Sequence, residues 1–143
     1  MKENTRAVII KMKSVQTVDG ESTEMELITE GSFSCSDRSY KVSYKDSEAT
    51  GFEDCTTSVE VMSDSFATIN RDGDAPSSLV LEINKKHHCH YGTPYGDMMV
   101  GIYAHKIKNE LAEDGGHLYM KYTIDVNSSY ISDNEIIMEI EKI

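Results

Sequence analysis

Alternation of apolar and polar residues with a period of two is the feature that most restricts the folds open to this chain. It is clearest where Leu118, Met120, Tyr122, Ile124 and Val126 alternate with His117, Tyr119, Lys121, Thr123 and Asp125. Successive side chains of a strand point to opposite faces, so this stretch predicts a half-buried β-strand. The same phase recurs in Val8, Ile10 and Met12, in Tyr40, Val42 and Tyr44, in Leu79, Leu81 and Ile83, and in Ile136, Met138 and Ile140. In all, the pattern predicts about ten strands. They lie near residues 5–18, 22–36, 39–47, 56–63, 65–71, 77–84, 86–92, 95–109, 115–127 and 131–143.

Turn chemistry separates them. Asp19-Gly20 is a two-residue hairpin signal, Asp72-Gly73 lies between two apolar runs, and Asp114-Gly115-Gly116 follows another. Segment 106–113 has helical composition but neither an N-cap nor a sustained 3.6-residue stripe, and is predicted to be a strand end and a loop. Short gaps favour antiparallel neighbours. With no helix to cover a sheet, the solutions are a sandwich or a barrel, and the meander-like order favours an all-β, antiparallel up-and-down barrel of about 8 to 10 strands. No repeat, low-complexity stretch or shift in composition divides residues 1–143, so one domain is expected.

Charge narrows the partners. Fourteen basic against 25 acidic side chains give a net charge of -11, which repels phosphate backbones and anionic membrane surfaces, so neither nucleic acid nor membrane is an expected partner. Residues 1–6 are polar, and the apolar run 7–10 is cut short by Lys11 and Lys13, which fits neither a signal peptide nor a span. Cys35, Cys55 and Cys89 are odd in number and lack CxxC spacing, which suits a reducing, cytoplasmic setting. Asn127-Ser128-Ser129 reads as a turn.

Four patches carry a resemblance: Glu30-Gly31 in the second strand, residues 40–44 in the third, Arg71 and Gly73 around the fifth, and the run Tyr91-Gly92-Thr93-Pro94-Tyr95-Gly96 with Tyr122 further on. In order and spacing they resemble the DUF1934 family of small bacterial proteins of unknown function. The resemblance spans nearly the whole chain and implies a calycin-like (lipocalin-like) barrel in a cytoplasmic bacterial protein. It brings no catalytic residues. The acid this family tends to place just after the third-strand tyrosine comes here one residue later, as Asp46.

Several clusters carry chemistry. Lys85-Lys86-His87-His88-Cys89-His90 holds zinc- or copper-binding side chains, but on a strand His88 and His90 share one face and His87 and Cys89 the other. A complete site would need His105 or His117 as well, and no metal is expected. Asn70, Asp72 and Asp74 copy the start of a calcium loop, which then fails at Ala75 and Leu81. Glu26 and Glu30 share a strand face, as expected by chance in so acidic a chain. There is no nucleophile elbow, P-loop or dinucleotide fingerprint, so no cofactor is expected and enzymatic activity is left open.

Arg71, near the end of an apolar strand, could point inward and bind an acid group together with Tyr122, while Tyr91 and Tyr95 could present rings from a rim loop. Two readings therefore stand. A binding barrel would hold a small apolar or amphipathic molecule, with Arg71, Tyr91, Tyr95 and Tyr122 as ligand-binding residues. A structural or protein-interaction domain would fill its core with bulky inward residues such as Met98, Leu118, Met120, Tyr122, Met138 and Ile140. An enzyme would need titratable side chains converging in one cleft.

Overall fold

A computed structural model describes residues 4–36, 39–45, 55–73, 76–93 and 96–143. Among these lie ten strands: β1 (Asn4–Val18), β2 (Glu21–Cys35), β3 (Tyr40–Lys45), β4 (Thr56–Ser63), β5 (Phe66–Asp72), β6 (Ser77–Glu82), β7 (Lys86–Thr93), β8 (Gly96–Ala112), β9 (Gly115–Val126) and β10 (Ser129–Lys142). Each pairs antiparallel with its neighbours in sequence, and β1 pairs with β10, closing an up-and-down barrel. No helix among the described residues is long and apolar enough to cross a membrane.

Two of the expected turns are in place. Asp19 and Gly20 take φ of 51° and 83°, and Asn127 and Ser128 take 53° and 66°, the paired positive values of tight hairpin turns whose twist matches the strands. One expectation fails. Residues 106–112, read from sequence as a strand end and loop, continue β8 in register with β9 as far as Ala112↔Gly115. A bulge between Ala104 and Lys106 moves the inward phase from even to odd positions, so that Ile107 and Leu111 enter the core. That phase change hides the two-residue period from a fixed template.

The inward faces stack in rows. Phe33, Val42, Val59, Ile69 and Leu79 are successive register partners across β2 to β6, and all are buried. With Val8, Ile10, Ile102, Leu118, Met120, Met138 and Ile140 they fill the half of the barrel that contains both ends of the chain. Phe33 stacks on Tyr40 with ring centroids 5.9 Å apart. Met98, expected inside, is 43% exposed: it shares the phase of Val100 but lies at the other, open end.

Two features shape that open end. Among the described residues the β2–β3 ladder runs from Gly31↔Tyr44 to Cys35↔Tyr40, while the earlier residues of β2 pair with β1. The β6–β7 ladder holds only Ser77↔Tyr91 and Ser78↔His90. Below these pairs the Val80 N–H donates to Cys89 Sγ at 3.3 Å in place of a backbone acceptor.

Gly31 pairs with Val8 on one side and with Tyr44 on the other, at the end of the described β2–β3 ladder. A Cβ there would run into the Ser43 carbonyl and the Ile10 side chain. At Gly20 a Cβ meets only open space, although φ is +83°. Gly31→Ala should therefore cost about 3 kcal/mol through forced overpacking. Gly20→Ala should cost about 1–2 kcal/mol, from the left-handed backbone alone. Urea denaturation of the two variants checks this order, and equal costs would refute it.

Candidate functional site

One row of side chains sits immediately above the apolar layers. Tyr44↔Thr57, Thr57↔Arg71, Arg71↔Ser77 and Ser77↔Tyr91 are direct register partners, so five residues from five hairpin-linked strands form a continuous inward belt across β3 to β7. Directly opposed residues share a face. The belt is thus a consequence of register; of the residues that carried the family resemblance, Tyr44, Arg71 and Tyr91 lie in it, and Gly31 is the register partner of Tyr44 on β2.

The belt borders a cavity of about 300 Å³. Its other walls come from the taller strands: Ser14 and Gln16 of β1, Thr23 and Met25 of β2, Tyr122 and Ile124 of β9, and Asn134 and Ile136 of β10. Val59, Ile69, Leu79, Met12 and Met138 also line it. The connections β1–β2, β3–β4, β5–β6, β7–β8 and β9–β10 all leave the sheet at this end. Arg71 is the only charged side chain among the described residues that line the cavity.

Polar contacts order the walls. Arg71 Nη1 donates to Ser77 Oγ at 3.3 Å, and the Tyr44 hydroxyl donates to Met12 Sδ at 3.5 Å. Tyr122 is 7% exposed and projects from β9 toward the belt. Burial drives its phenol pKa well above the ordinary value, the Tyr91 hydroxyl adds to the rise, the Arg71 guanidinium opposes it, and Tyr44 adds a further small rise. Tyr44, Arg71, Tyr91 and Tyr122 line the same cavity, and the Tyr122 phenol remains a neutral hydrogen-bond donor at physiological pH.

Of the ligand-binding candidates, Arg71, Tyr91 and Tyr122 come together in this cavity. Tyr95 lies outside the described residues, as do Asp46, Asp74, Ala75 and Pro94. Sequence reasoning missed Ser14, Gln16, Thr23, Thr57, Ser77 and Asn134. Their signal was polarity at an inward phase: Thr57 precedes Val59 and Val61 by even steps, and Ser77 precedes Leu79 and Leu81 in the same way.

The histidine cluster does not assemble here. Cys89 is buried and His88 and His90 are exposed, while His87 lies 2.8 Å from Glu82. Desolvation pushes the Cys89 thiol pKa up, against a smaller lowering by the Val80 N–H. Among the described residues no three His, Cys, Asp or Glu side chains converge as a metal site, and all three cysteines are free thiols. Glu26 and Glu30 are exposed on the outer face of β2. A second, more open depression lies outside β8 to β10, among Lys106, Lys108, Glu110, His117, Tyr119 and Ile137.

The raised Tyr122 pKa has a definite sign. The folded state holds the phenol protonated more tightly than the unfolded chain does, so this contribution to stability is fully present below the ordinary phenol value of 10.0 and is lost as pH rises above it. Denaturant midpoints should therefore fall more steeply above about pH 10 in the unsubstituted protein than in Tyr122→Phe. Parallel slopes for the two proteins would contradict the assignment.

Residues 10–138 match the family model for a domain of unknown function, DUF1934. No curated protein matches the chain. Among solved structures it is similar to the crystal structure of the ywiB protein from Bacillus subtilis, with a TM-score of 0.78, 19% identity, and coverage of 94% of this chain and 92% of that one. At that identity the likeness speaks for the fold alone. The family match extends from β1 to β10 and includes Gly31, Tyr44, Arg71, Tyr91 and Tyr122, and the chain belongs to the DUF1934 family.

Proposed function

We propose that the protein binds a small apolar or amphipathic molecule inside the barrel, with Arg71, Tyr91 and Tyr122 as its polar contacts. The observation that carries this reading is the cavity of about 300 Å³, bordered by the polar belt and lined by both polar and apolar side chains. Its size is at the lower end of the range for ligand pockets, about 300–1,000 Å³, and a few convergent polar groups on apolar walls are what orient a bound small molecule. In keeping with this we read the barrel as calycin-like and the protein as a cytoplasmic bacterial one. The described lining residues include no His, Cys, Asp, Glu or Lys, so proton-transfer catalysis has less support than binding.

The competing reading, a filled-core structural or interaction domain, draws on the other half of the barrel, where Phe33, Ile10, Leu81, Ile102, Leu118, Met120 and Met138 are fully buried. The two separate experimentally. Native mass spectrometry of protein purified from the organism that encodes it should reveal a reproducible small adduct. Ser14→Trp, which adds an indole to the cavity wall, should lose that adduct while retaining its β-sheet circular dichroism, and Arg71→Ala should retain less of it. A clean apo mass for the unsubstituted protein would overturn the binding reading in favour of the filled-core domain.

A further inference from the structure

On the outer wall of the barrel, two bulges lie on either side of β9. His105 is the extra residue of β8, between Ala104↔Tyr122 and Lys106↔Lys121, and Ile131 is the extra residue of β10, between Tyr130↔Asp125 and Ser132↔Ile124. Thr123 stands between them, in register with Tyr103 on one side and Asp133 on the other. Bulges re-aim the side chains beside them. Here His105 Nε2 lies 2.6 Å from Thr123 Oγ1, the Thr123 hydroxyl donates to Asp133 Oδ1 at 2.6 Å, and the Tyr130 hydroxyl donates to Asp133 Oδ2 at 3.1 Å. We propose that this chain of hydrogen bonds makes His105 a phosphoryl acceptor, which takes the group at Nδ1 from an acyl phosphate.

Proton counting sets the tautomer. A threonine hydroxyl has one proton, and a carboxylate only accepts. Because Thr123 gives its proton to Asp133, His105 must donate from Nε2, and Nδ1 of the neutral ring keeps a bare lone pair. His105 is exposed, and its other contact among the described residues is the tilted ring of Tyr103, with centroids 5.2 Å apart. Attack by the lone pair forms an N–P bond and breaks the P–O bond to the acyl group, which leaves as a carboxylate with the electron pair. The ring keeps its Nε2 proton and becomes cationic. Asp133 stabilises that charge through Thr123, as a buried aspartate stabilises the imidazolium of a serine protease.

Lys106 and Lys121 favour a phosphoryl group over an uncharged one. They are direct register partners, and like charges placed so repel each other. Lys106 has the Tyr119 ring at 6.0 Å, and Lys121 has Glu135 at 3.9 Å. Of the nearby acids, Asp125 is held by Lys86 at 2.6 Å and Asp133 by the two hydroxyls. A phosphoryl group on the adjacent His105 offsets the lysine repulsion through charge-assisted hydrogen bonds. The other histidines differ. His87 is held by Glu82 at 2.8 Å but is half-buried opposite Ile102, while His90 and His117 have carboxylates only at 3.5 and 3.9 Å.

Incubation of the full chain with acetyl phosphate, followed by mass spectrometry at neutral pH, should give one phosphoryl adduct that maps to His105 and is absent from His105→Gln. Long-range proton–nitrogen NMR of the untreated protein should show His105 as the Nε2–H tautomer. In Asp133→Asn the amide can donate to Thr123 and turn the threonine proton toward His105. That variant should reverse the tautomer and slow labelling about tenfold, with its β-sheet circular dichroism unchanged. An Nδ1–H tautomer in the unsubstituted protein, no adduct, or an adduct centred on His87 or spread evenly over the five histidines would overturn the proposal. Modification of His105 by uncharged diethyl pyrocarbonate but not by acetyl phosphate would also overturn it, leaving a reactive imidazole that takes no phosphoryl group.

Discussion

The ladder between β1 and β10 is the constraint on which the rest of the structure depends. It joins the first and last strands from Val8↔Lys142 to Thr17↔Asp133 and turns a meander of hairpins into a ring without sheet edges. Every other ladder links sequence neighbours, and the β1–β10 ladder alone must draw together parts of the chain more than a hundred residues apart. It brings Met12 against Met138 and Ile10 against Ile140, so the same pairing that closes the barrel also completes one wall of the cavity. Contacts of such sequence separation form late and slowly, because the intervening chain must first be ordered.

Packing above and below the belt divides the interior into two regimes. Toward the chain ends, branched and aromatic side chains are buried together as one core cluster. Toward the open end, β1, β2, β9 and β10 supply much of the described wall above the belt, and several of its side chains, Ser14, Gln16, Thr23 and Asn134 among them, are polar. The two readings drawn from sequence, a filled core and a binding barrel, therefore draw on opposite halves of one barrel.

Much of the fold was legible in the sequence, because strand periodicity and turn residues are local. Leu118, Met120 and Tyr122 face inward as their alternation predicts, and Asp19-Gly20 turns where the dipeptide says it should. The errors have local causes too: the bulge after Ala104 reset the phase of β8, and Met98 has an inward phase at a level where the barrel is already open. The site was less legible. Arg71, Tyr91 and Tyr122 could be singled out as unusual, but Thr57 and Ser77 looked like ordinary strand polar residues. Their role depends on which residue faces which across five strands, and no single segment encodes that.

The belt also bears on how chains of this kind can diverge. Tyr44, Thr57, Arg71, Ser77 and Tyr91 point inward together because four consecutive ladders hold them in register. Gaining or losing one residue between a turn and its belt position would rotate that side chain out to solvent, whereas a change of two would preserve its face and shift its height. Turns can therefore lengthen freely over evolutionary time, while the strand segments beneath them change in steps of two or carry a compensating bulge.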